Sequence, residues 1–146
     1  MIQLKRTTMI LGTIAMAAML FAHCKDKEQA NPGTDQAPAT VELSGTPGNK
    51  MITVMEMGVK ALENNSADPG KAASELNRLM KAYDITALRN EAKAEKEAGR
   101  GASEEEKAKF KELTETYKKL AAEVGAKDPT AFGGAHAEWS RLWSIN

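Results

Sequence analysis

Cysteine occurs once in this 146-residue chain, histidine twice, and aromatic side chains make up 5% of it. A single cysteine forms no disulfide within the chain, and the sequence holds no CxxC knuckle and no CxxCH haem attachment. Neither sign of charge is in excess, with 20 Lys and Arg against 20 Asp and Glu. That balance lacks the basic field on which nucleic-acid binders rely. Aromatic and β-branched strand formers are scarce beside Ala, Glu, Lys and Leu, which argues for helices over sheets. HExxH, G-x-S-x-G and phosphate-loop patterns are absent. A di-iron bundle needs Glu-x-x-His pairs, but the residue three before His136 is Gly133. No catalytic residue is assigned, and the chain reads as a non-enzyme.

No apolar run is long enough to cross a bilayer comfortably. The longest, Met9–Ala22 (MILGTIAMAAMLFA), spans roughly 21 Å as a helix against a hydrocarbon core of about 30 Å. Lys5 and Arg6 precede it and Cys24 follows, the layout of a secretory signal with a short apolar centre. This stretch resembles the lipobox of bacterial lipoprotein precursors, with His23 standing where a small residue is usual, a relaxed form familiar among spirochaetes. The resemblance implies cleavage of residues 1–23 and acylation of Cys24, which would then hold the mature chain on a membrane. Lys25 stands where the family's inner-membrane retention signal places Asp, so the outer membrane is favoured over the inner. Loss of Lys5 and Arg6 would leave 18 basic and 20 acidic residues, too even a balance to imply any class of partner.

Residues 25–49 are rich in Pro, Gly, Thr, Asp and Gln and read as a flexible linker. From residue 50 to 146 the pattern is helical. The first segment, residues 49–64, lines up Met51, Met55, Gly58 and Leu62, with Val54, Val59 and Ala61 beside them. Gly58 in that line leaves room for a bulky neighbour, with Trp139 or Trp143 as candidates. The second opens at Asp68-Pro69, a cap followed by a proline that needs no N–H there. Its stripe is Ala72, Leu76, Leu79, Met80 and Tyr83, after which the register slips. The helix either kinks at Asp84–Thr86 or continues to about Ala98, before the GRG at 99–101. The third begins with a Ser103/Glu106 capping box, carries Phe110, Leu113, Tyr117, Leu120, Ala121 and Val124, and is predicted to end at Gly125. The fourth opens at Asp128-Pro129 and carries Phe132, Trp139, Leu142 and Trp143. Short connections between four such segments predict an all-α fold, an antiparallel up-down-up-down four-helix bundle.

His136 is the one histidine after Cys24. On a helical projection it lies about 40° from Phe132 and 20° from Trp143. The order of helices, with a Met early in the first and a His in the last, weakly resembles the b-type four-helix-bundle cytochromes. That resemblance implies haem b held by His136 with Met51 or Met55, as the alternative to a chain without cofactor. Met51, Met55 and Met57 form no copper(I) site, because Met57 lies about 160° from Met55 on one helix. The leading expectation is a lipid-anchored envelope protein that binds an unidentified envelope partner or serves as a structural component. A third possibility is an envelope chaperone or inhibitor presenting a helix face, with Met57, Ile85 and Leu88, off the main stripes, as its contact points.

Overall fold

The computed structural model describes residues 40–145; Cys24 and the apolar run before it lie outside them. The described residues form one compact unit. Among the described residues there are five helices and no strand: α1 Pro47–Asn64, α2 Pro69–Ala82, α3 Ile85–Glu97, α4 Glu104–Lys127 and α5 Pro129–Trp143. None is long and apolar enough to cross a membrane.

Four of the five starts follow from local chemistry visible in the sequence. Asp68 accepts the Lys71 N–H ahead of Pro69. Asp128 accepts from the N–H groups of Thr130 and Ala131 ahead of Pro129. Ser103 and Glu106 form the full capping box, which satisfies two of the donors a helix start leaves open. Thr46 caps α1 by accepting the Asn49 N–H, so the first helix begins at Pro47 and the expected linker, drawn to residue 49, is too long. The chain before α1 is also tied to the fold. The Val41 N–H donates to the Tyr83 hydroxyl at 2.9 Å, and that hydroxyl donates to the Val41 carbonyl at 3.1 Å.

The slip in register after Tyr83 is a full break. Tyr83 adopts an extended conformation, and Asp84 recaps the chain by accepting the Ala87 N–H at 2.8 Å. The new helix turns Ile85 inward to 2% exposure, and Leu88 is half-buried. Met57 is likewise packed against the core. The three side chains expected to present a contact face are therefore partly or wholly consumed by the fold. α4 runs past Gly125 to Lys127, ending where Asp128 takes over as the cap of α5. On the exposed face of α4, Glu115 meets Lys118 and Lys109 meets Glu112, each at 3.9 Å.

α1 packs chiefly on α4 and α2 on α5, while α3 touches α1 and α5. The core is apolar throughout, with no buried charged side chain among the described residues. Its widest member, Trp139, has no exposed surface and lies against the backbone of α1 at Gly58. A Cβ at residue 58 would fall 2.9 Å from Trp139 Cη2 and closer still to Cζ2, inside contact distance of a ring with nowhere to move. Gly58→Ala should therefore destabilise the fold by about 1–3 kcal/mol through overpacking, read as a lower urea midpoint at unchanged slope. Gly134→Ala, where a Cβ meets nothing within 4 Å, should be neutral or stabilise by about 0.5–1 kcal/mol, the helix-interior cost of glycine.

Candidate functional site

His136 sits on α5, half-buried between aromatic rings. Its imidazole stacks on Phe132 with centroids 5.5 Å apart and 11° between the planes, and lies 5.9 Å from the ring of Tyr117. Nδ1 is 3.1 Å from the Tyr117 hydroxyl and 3.4 Å from that of Ser140. Tyr117 has no exposed surface, and the imidazole is the partner its phenol has. Burial pushes the Tyr117 phenol up and the His136 imidazole down. Both shifts keep the proton on the phenol and leave His136 neutral, with Nδ1 accepting from Tyr117 and the ring proton assigned to Nε2. A phenol raised and an imidazole lowered hold the proton of this hydrogen bond on Tyr117 at neutral pH. The pair satisfies a buried hydroxyl.

The residues proposed for haem do not fit it. Met55 has no exposed surface. Met51 is half-buried and faces a cleft whose walls do not include His136. Between α1 and α5, at Gly58, the space is filled by Trp139. His136 meets an aromatic stack and neither methionine thioether. Among the described residues no group of three His, Cys, Asp or Glu side chains is placed to hold a metal ion.

The cleft that Met51 faces is the better candidate. It has a volume of about 520 Å³, within the range of roughly 300–1,000 Å³ usual for small-molecule sites. Its walls come from the start of α1, the second half of α3 and the start of α4. Met51, Ala92, Ala102 and Phe110 give it an apolar floor. Phe110 in turn packs on Trp143, centroids 5.6 Å apart, so the floor is continuous with the aromatic core.

The mouth carries Lys93, Lys96, Arg100 and Lys107 beside Glu95 and Glu106. Both carboxylates are engaged. Arg100 holds Glu95 with two contacts, Nε at 2.7 Å and Nη2 at 3.0 Å, and its guanidinium lowers the Glu95 pKa. Glu106 accepts from the Thr46 hydroxyl through one oxygen and from the Ser103 N–H at 2.8 Å through the other. The Thr46 hydroxyl first, then the Ser103 N–H, hold its carboxyl below the usual range. Glu106 thereby joins the caps of α1 and α4, and Gly48 makes room, since a Cβ there would lie 3.0 Å from the carboxyl. Lys107 pairs with Glu104 at 2.6 Å and Lys93 with Glu97 at 3.9 Å, both on exposed faces. Lys96 has no ion pair among the described residues.

The cleft was not foreseen. Met51 and Phe110 read as core residues in the sequence and the GRG segment only as a helix stop. The one local hint is the charged run from Lys93 to Arg100, whose helix fully buries only Ile85. No protein family, curated protein or solved structure matches the chain.

The Tyr117–His136 pair gives a signed dependence on pH. A folded-state imidazole pKa below 6.5 means that the unfolded chain takes up a proton first. The pair's stabilisation is present above pH 6.5 and is lost as pH falls through the lowered folded value. The melting temperature of the chain should fall between pH 7 and pH 5. His136→Gln, which keeps an acceptor for the phenol, should flatten that window and leave the carboxylate-driven loss at lower pH. Tyr117→Phe should cost roughly 1 kcal/mol at pH 7.

Proposed function

We propose that this chain is a lipid-anchored protein of a bacterial envelope that acts by binding and not by catalysis, with the α1–α3–α4 cleft as its binding face. The observation that carries the binding reading is the cleft itself, an apolar floor of Met51 and Phe110 ringed by charge on an otherwise closed core. Location rests on the sequence: a charged start, a short apolar run and a lone Cys24 before a helical unit. Lys25 after the cysteine favours the outer membrane over the inner. We read the architecture as an antiparallel bundle of α1, α2, α4 and α5, with α3 packed against α1 and α5. An envelope protein remains the partner class for the chain as a whole, with the membrane engaged through acylated Cys24.

Fractionation of cells expressing the full chain tests the anchor. The wild-type protein should stay with membranes through a high-salt wash and enter detergent. Cys24→Ser should move most of it to the soluble fraction, and the mass of the purified wild type should exceed that of its mature sequence by the acyl groups. A Cys24→Ser chain that still pellets with membranes would sink the anchor.

A further inference from the structure

We propose that the α1–α3–α4 cleft binds a free amphipathic carboxylate of the fatty-acid type, its chain laid on Met51, Ala92 and Phe110 and its head group at Lys96. The inference deepens the reading of the cleft as a binding face and rests on it.

The head-group end follows from charge. Four cations and two carboxylates stand at the mouth, and both carboxylates already have partners. Arg100 is spent on Glu95, while Lys93 and Lys107 lean toward Glu97 and Glu104. Lys96 alone of the four has no ion pair among the described residues. Gly101 comes so close that a Cβ there would lie 3.3 Å from Lys96 Cα and 3.4 Å from Cβ and Cγ. The turn that brings Gly101 back onto α3 needs Gly99 at φ +77°, the left-handed region, and is closed by the Arg100 N–H donating to the Glu95 carbonyl at 2.8 Å. The GRG segment thus builds a wall of the cleft and sets one unpaired ammonium at its edge.

The tail end follows from the floor. Met51 is unbranched and adaptable, a side chain suited to a flexible apolar chain. Phe110 offers a ring face backed by Trp143. Ala92 and Ala102 keep the walls low on either side. A cationic head would meet the unpaired Lys96 ammonium, and a neutral alcohol would leave that ammonium without a counter-charge. A carboxylate satisfies both ends at once, and each methylene it buries should tighten binding roughly four-fold.

The test uses the unit from Gln36 to Asn146, which is compact by itself, with a cooperative melt as its entry criterion. Decanoate, dodecanoate, dodecanol and dodecyltrimethylammonium are titrated calorimetrically, with Trp fluorescence as a second readout because Trp143 backs the floor. Dodecanoate should bind with one-to-one stoichiometry, roughly fifteen-fold tighter than decanoate and well ahead of the cationic amphiphile. Lys96→Glu, on an exposed side chain, should weaken dodecanoate several-fold in a salt-sensitive way and leave dodecanol unchanged. Ala92→Glu, at a half-exposed position, should weaken both. Dodecanol or the cation binding as well as dodecanoate would overturn the carboxylate assignment and keep the cleft as a binding face. No binding of any of the four would overturn both, while the anchor at Cys24 would still be judged by fractionation alone. Unchanged affinity in both variants would overturn the placement.

Discussion

The contact between Trp139 and the bare backbone at Gly58 is the constraint from which the rest of the packing follows. A ring of that size can lie flush on α1 only where one residue lacks a side chain. It sets the height at which the Trp139 ring of α5 reaches α1. From Trp139 the aromatic packing runs in two directions. One passes through Tyr117, 5.9 Å away and nearly parallel, to His136 and Phe132. The other passes through Trp143 to Phe110 and so to the floor of the cleft. The indole N–H groups of Trp139 and Trp143 are both buried without an acceptor among the described residues. An unmade hydrogen bond normally costs a buried donor about 1–3 kcal/mol. The fold accepts that cost at two places in exchange for the area these rings bury.

Beyond that seam the ends of the helices do the fastening. Glu106 serves the caps of α1 and α4 together, and Tyr83 holds the chain at Val41. α3 is attached more lightly. Lys50 pairs with Glu91 at 2.9 Å, Arg89 donates to the Leu142 carbonyl at 2.6 Å, and Ile85 anchors its start. An exposed ion pair such as the first contributes little by itself. The element that walls the cleft is thus the one with the least buried surface, and low local stability is characteristic of segments that meet ligands. The tight core and the lightly held wall are two consequences of one distribution of apolar residues, dense on α1 and α5 and thin on α3.

What the sequence by itself determined is the class and the punctuation. Helix content, the caps at Asp68, Ser103 and Asp128, the stop at GRG and the packing role of Gly58 all depend on residues a few positions apart or on one periodic face. What only the tertiary structure decided is where faces with no clear stripe went. Ile85 looks stranded on a continuous helix and becomes core once Asp84 restarts the chain. His136 looks like a ligand beside an aromatic stripe until Tyr117, from another helix, claims its Nδ1. The cleft unites side chains from positions as distant as Pro47 and Phe110. Caps are closed by local hydrogen bonds that any reading of neighbours can find, whereas a partner across the bundle is set by which helices meet, and that is fixed only when a ring as large as Trp139 finds the single gap that admits it.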